Sequence, residues 1–361
     1  FNTAHTLGAV TLTNTTATFV PNQSTATTTF ALTNAVVNGP GTLTNAVGKT
    51  LVIQGGTLNT PLINDGLTRL RGSLALKDTI ITSATSTLRV EGDASCCATF
   101  VTVDSGFTNK GKIELTAING TGTTASLAVD STVLVNAPGA TIDVLPGTGG
   151  ARNLNVALDN QGTMTVAQAL TMNKTSASIA NSGLIKLAGG DWSFVESGFR
   201  PAISNTGTID VGSNKMVVSG TGGFTNQPAG TLQGSGTIDV SAPSISFITD
   251  GTTTVGGSPG ILNFVGPYLM GPTGTVNVEI GGSGSTPGVT YDQLTGTDNV
   301  TLQGGTLNAT VGLVAGQTYT LISLPAGKTI TGDFSTKIGL AGPKCTTGLN
   351  AGQNQYLITC P

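Results

Sequence analysis

One short phrase recurs along this chain and constrains its fold more than any other feature: Asn-x-Gly, one further residue, then apolar-x-apolar. It reads Asn109-Lys110-Gly111-Lys112-Ile113-Glu114-Leu115 and Asn160-Gln161-Gly162-Thr163-Met164-Thr165-Val166. It returns as Asn181-Ser182-Gly183-Leu184-Ile185-Lys186-Leu187 and Asn205-Thr206-Gly207-Thr208-Ile209-Asp210-Val211. Looser copies are Pro138-Gly139-Ala140-Thr141-Ile142-Asp143-Val144 and Gly236-Thr237-Ile238-Asp239-Val240, with an earlier relative at Asn64-Asp65-Gly66-Leu67. The glycines at 111, 139, 162, 183, 207, 230 and 251 lie about 21 to 28 residues apart. That period is too short for a propeller blade, and no helical stretch accompanies it as a leucine-rich repeat requires.

Within each phrase the apolar residues alternate with period two, so one face is turned inward. A single coil cannot bury that face alone. Stacked coils can, by aligning Ile, Val and Leu in columns at the strand spacing of about 4.7–4.9 Å. The sequence therefore predicts an all-β, right-handed parallel β-solenoid of about 21–28 residues per coil. Gly at the corners is expected to supply positive φ, and stacked Asn side chains are expected to form hydrogen-bonded ladders. Ile113, Ile142, Met164, Ile185, Ile209 and Ile238 are expected inward at equivalent positions.

Composition supports this and excludes rivals. About sixty threonines and 52 glycines accompany only 15 basic and 18 acidic side chains. Charged residues are 9%, against about 25% in ordinary domains. The net charge of −3, with scattered basic residues, leaves no footprint for nucleic acid. No apolar run approaches the roughly 18–20 residues of a membrane helix.

The repeats resemble those of secreted bacterial β-solenoid proteins, typified by autotransporter passengers and filamentous-haemagglutinin-like adhesins. A second stretch is similar to the closing coils of such passengers: Gly257-Ser258-Pro259-Gly260-Ile261-Leu262, then Gly274-Thr275-Val276-Asn277-Val278-Glu279-Ile280, Tyr291-Asp292-Gln293-Leu294 and Leu302-Gln303-Gly304-Gly305-Thr306-Leu307. The resemblance implies an extracellular or cell-surface location after removal of a signal peptide, in keeping with a chain that opens on Phe1. Four regions are expected: a Thr-rich N-terminal segment 1–35, serving as cap or donated strand; solenoid repeats over 36–255; C-terminal coils over 256–340; and a disulfide-closed element over 341–361.

The four cysteines number an even count in a chain read as secreted, which points to disulfides. In a rod, coils near Cys96 and Cys345 lie beyond the roughly 7 Å reach of a bridge. That leaves Cys345–Cys360, while Cys96 and Cys97 either form a vicinal pair or remain reduced. No catalytic, cofactor or metal site is expected. His5, the single histidine, has no Ser or Cys motif beside it. Gly147, Gly149 and Gly150 before Arg152 lack the helix that a phosphate loop requires. The densest charged cluster is Asp191, Glu196 and Arg200, with Trp192 beside it. It is the candidate glycan-binding surface, and the alternative reading is a carbohydrate-active β-helix enzyme using 191–200. The expected function is non-enzymatic: a structural subunit of an extracellular fibre, adhesin or matrix. Its expected partner is itself, in a head-to-tail homopolymer built by strand addition through residues 1–35, with surface glycans second.

Overall fold

The computed structural model describes residues 8–195, 202–220, 222–242, 246–257, 259–310, 312–340 and 344–361. Regular structure in them is β-strand throughout, in parallel coils stacked as a β-solenoid. Among the described residues no helix is long and apolar enough to cross a membrane. The chain divides into two compact units, Phe1–Lys174 and Thr175–Pro361.

In the first unit, the inward positions of successive strands form a column. Leu12 pairs in register with Leu32, Leu32 with Ile53, Ile53 with Leu70, and Leu70 with Val90. The column continues through Leu115, Val144 and Val166. A neighbouring column holds Leu88, Ile113, Ile142 and Met164, all fully buried. A separate four-stranded sheet of Gln23–Ser24, Leu43–Asn45, Leu62–Asn64 and Ile80–Thr82 closes one side of the early coils.

The second unit repeats the arrangement. Ile185 pairs with Ile209, Ile209 with Leu232, and Leu232 with Thr253. Val276 and Leu307 follow. An aromatic cluster of Phe224, Phe247, Phe264 and Tyr268 fills the interior beside it, with ring centroids 4.7 Å apart for Phe264 and Tyr268.

The structure corrects one expectation about the core. Ile238 is buried but belongs to another face, in register with Met216 and Phe264 and not with Ile209. Within residues 8–35 the chain forms strands that pair with the next coils. Strand Ala9–Thr13 pairs in parallel with Thr29–Thr33, and strand Thr29–Asn38 pairs on its other edge with the next coil. Val10, Leu12, Phe30 and Leu32 are therefore the inward rows of the first coils, already covered by their own chain. Strand Thr252–Val255 runs in register with Thr275–Asn277.

At Gly111, Gly162 and Gly207 glycine works through space and not through φ. Positive φ occurs at Gly139, but the tighter demand is contact with the coil beneath. A Cβ at Gly111 would stand 2.4 Å from the Ser86 carbonyl oxygen, at Gly162 2.3 Å from that of Ala140, and at Gly207 2.1 Å from that of Gly183. No side chain fits there, which is why Gly recurs with the coil period.

The asparagine of the phrase turns inward and forms the expected ladder. The Asn109 side-chain amide donates to Asn136 Oδ1 at 2.9 Å, and that of Asn136 to Asn160 Oδ1 at 2.8 Å. In the second unit Asn181 donates to Asn205 at 2.7 Å and Asn205 to Asn226 at 2.8 Å. Each amide also reaches a backbone carbonyl of the next coil, as from Asn205 to Thr231 at 3.2 Å. These side chains are buried and hydrogen-bonded, as burial of an amide demands. Ladder partners are 19 residues apart at Asn45 and Asn64, while the outward Asn277 and Asn308, in register on adjacent coils, are 31 apart. Coil length therefore varies more widely than the glycine spacing implied.

At the C-terminal end the chain reverses. Strands Thr346–Leu349 and Gln355–Thr359 form an antiparallel hairpin, and Gln355–Thr359 pairs antiparallel with Thr318–Ser323. Tyr356 and Ile358 are fully buried beneath it, and the Tyr356 ring meets Phe334 edge-on at 5.1 Å. The hairpin covers a strand edge that would otherwise be open.

Candidate functional site

Of the cluster expected at 191–200, Asp191 and Trp192 lie among the described residues. In strand Trp192–Val195 the alternation puts Trp192 and Phe194 inward, stacked on Met216 and Val218. Trp192 is fully buried, so its ring presents no face to a sugar. Asp191 is exposed, and its Oδ1 accepts the Lys215 backbone N–H at 2.8 Å, pinning the start of the next strand. Glu196, Arg200 and His5 lie outside the described residues.

Among the described residues, the densest charge lies in the first unit. Register puts Arg69 beside Arg89, Arg89 beside Glu114, and Glu114 beside Asp143 along one outward row. Glu91, two residues beyond Arg89, is wholly covered by arginines. Arg71 Nε donates to Glu91 Oε1 at 2.8 Å, Arg69 Nε to Oε2 at 3.2 Å, and Arg89 Nη1 stands 4.0 Å away. Arg71 also reaches Asp93 at 3.3 Å, and Arg89 Nε donates to Glu114 at 2.6 Å. Lys112 lies 3.4 Å from Asp143. Arg69, Arg71, Arg89 and Lys112 thus face Glu91, Asp93, Glu114 and Asp143, four charges against four. The face compensates itself.

Arg152 is a different case. Its place in the alternating strand Arg152–Asn160 turns it inward with Leu154 and Val156, and it is 1% exposed. Its guanidinium donates to five backbone carbonyls, those of Ala117, Leu145, Gly147, Gly149 and Gly150. The glycine loop before it therefore offers oxygens to a cation. A phosphate cradle would have to offer N–H groups.

Two carboxylates do meet in a depression of the second unit, about 240 Å³ in volume and lined by Thr254, Gly256, Asn277, Glu279, Asp292 and Thr310. Asp292 is 2% exposed. Its Oδ1 accepts the Gly260 N–H at 2.7 Å and its Oδ2 the Glu279 N–H at 2.6 Å. Burial raises its pKa, with the Glu279 charge adding to that and the two N–H groups opposing it. With both oxygens engaged, Asp292 ties the turn at Gly260 to the strand ending at Glu279. The sequence signal was there: Asp292 sits in the Tyr291-Asp292-Gln293-Leu294 stretch, where all four side chains are buried.

Tyr268, fully enclosed, gives a pH signature. Burial pushes its phenol up to about 12, opposed by the Thr253 hydroxyl 3.2 Å away. The unfolded chain ionises this group near 10, so stability present below that pH is lost as pH rises from 10 to about 12. Tyr356 is pushed the same way, first by burial and then by Asp333. In Tyr268→Phe, the alkaline decline in denaturant midpoint is expected to be shallower. A decline as steep as the parent's removes Tyr268 as its source.

The sulfurs of Cys345 and Cys360 stand at disulfide distance, as do those of Cys96 and Cys97. Compared with models of known protein families, the chain matches none, and no curated protein matches it.

Proposed function

We propose that this chain is a secreted structural β-solenoid, a building element of an extracellular fibre, surface adhesin or matrix of the kind that autotransporter passengers and filamentous-haemagglutinin-like adhesins represent. The observation that carries this reading is the asparagine ladder. The inward asparagines that the repeat brings are spent on joining one coil to the next. Repetition here extends a frame; it does not multiply binding groups. The self-compensating charge face and the inward Trp192 agree with it.

Self-association belongs to this reading in altered form. Residues 9–38 are coils of their own chain and are not free for donation. Among the described residues, Ala9–Thr13, Thr16–Thr18 and Gln23–Ser24 each pair on one side, and these edges are where a second copy would add, while the hairpin covers Thr318–Ser323. The test combines electron microscopy of the purified chain with incubation on neutral and acidic polysaccharides. Elongated particles and no release of sugar are expected. Catalytic release that disappears in Glu279→Gln, in the depression lined by Glu279 and Asp292, would overturn the reading.

A further inference from the structure

We propose that Cys96–Cys97 is a reversible thiol–disulfide exchange site for small thiols, and that Cys345–Cys360 is the structural staple of this chain. The two pairs differ in what a bond between them can do. A bridge stabilises chiefly by removing loop-closure freedom from the unfolded chain. Cys345 and Cys360 are 15 residues apart. Their bond joins the two arms of the terminal hairpin, and Cys360, which is buried, donates its N–H to the Gln317 carbonyl. Neighbouring cysteines enclose no loop, and the same argument gives their bond nothing to contribute.

The turn that carries Cys96 and Cys97 is also held without it. The backbone N–H groups of both cysteines donate to the Asp93 carbonyl, at 3.0 and 2.6 Å, and the Asp93 N–H donates to the Cys97 carbonyl at 3.0 Å. Asp93 Oδ1 accepts the Ser95 N–H at 2.9 Å, and Asn119 Oδ1 accepts that of Ala94 at 2.7 Å. Opening the sulfur–sulfur bond leaves all of these in place. Both cysteines are partly exposed, which admits a small reagent. Cys97 Sγ lies over Gly72, where an added Cβ would stand 3.4 Å from it. Gly72 thus leaves the sulfur room to move apart from its neighbour.

The exchange balances simply. A small thiolate attacks one sulfur and forms a mixed disulfide, releasing the other sulfur as a thiolate. A second small thiol attacks the mixed disulfide and leaves as the small-molecule disulfide. Two electrons and two protons pass to the protein, which gains two thiols. The oxidised small disulfide reverses both steps. Exposed bridges of this kind are the exchangeable ones, and buried ones that close loops resist.

The test uses the whole chain equilibrated in mixtures of reduced and oxidised glutathione, then alkylated, digested and mapped. Cys96 and Cys97 are expected to become alkylated together at about tenfold less reduced glutathione than Cys345 and Cys360 require. Returning the sample to oxidised glutathione is expected to relink them. The double variant Cys96→Ser/Cys97→Ser is expected to melt within about 2 °C of the parent. Both pairs opening together, free thiols at 96 and 97 in the fully oxidised protein, or a variant melting many degrees lower would each overturn the proposal.

Discussion

The Ile209→Asp variant is expected to lose about 4 kcal/mol or more of stability, enough to unfold the coils around it. Ile209 is fully buried between Ile185 and Leu232 in register. Removing its side chain forfeits roughly 2–3 kcal/mol of apolar burial. The carboxylate that replaces it finds apolar groups above and below, so it is either an unpaired ion or a proton-carrying acid, and both are costly. The neighbouring residue provides the control. Asp210 points outward, with its Oδ1 accepting the Gly212 N–H at 2.9 Å. Asp210→Ala is expected to cost only about 0.5–1 kcal/mol, the worth of one such bond. Urea titrations of the two variants check the assignment. A loss below about 1 kcal/mol in Ile209→Asp would show that the residue is not in the column.

The second large effect concerns Glu91. Glu91→Gln keeps the shape and removes the charge, leaving Arg69, Arg71 and Arg89 crowded without their shared carboxylate. Losing one partner of a buried pair costs about 3–5 kcal/mol. The arginines are 16–32% exposed, so water screens part of their repulsion and about 2–3 kcal/mol is expected. Removing one repelling charge as well, in Glu91→Gln/Arg71→Met, is expected to recover part of the loss. By contrast, Lys77→Ala breaks an exposed pair with Asp104, and no measurable change is expected. Chemical denaturation of all three variants is the measurement. An unchanged midpoint in Glu91→Gln would mean that the network is ornamental.

Much of this was readable in the sequence, and the failures have physical causes. The alternation fixed which side chains face inward, and the Asn and Gly of the phrase marked where coils meet. The faces were harder to separate. Gly207-Thr208-Ile209-Asp210-Val211 and Gly236-Thr237-Ile238-Asp239-Val240 are the same five residues in the same order, yet they lie on different faces. Identical local sequence carries no information on which face it forms; only the chain length between corners does. The cluster at Glu91 escaped because its partners Arg69 and Arg71 are 22 and 20 residues away, and only register joins them. Trp192 misled for the opposite reason. Its acidic neighbour drew attention, whereas the period-two pattern through Phe194 already placed it inside. Arg152 follows the same pattern with Leu154 and Val156, and a buried charge there runs against expectation until its carbonyl partners are seen.

The variation in coil length has a consequence for how such a chain can change over time. Asn45 and Asn64 meet at 3.0 Å across 19 residues, and Asn277 and Asn308 meet at 3.0 Å across 31. The contact is indifferent to what lies between. A duplication, a spliced peptide or a grafted recognition loop between two paired strands changes the corner alone. Its entropic cost grows only with the logarithm of its length, about 0.6 kcal/mol for each doubling. Residues 281–290, in the longest of these spans, form an insertion site of this kind. Descendants of this chain can therefore gain or lose surface features there while the paired strands on either side keep their sequence and their spacing.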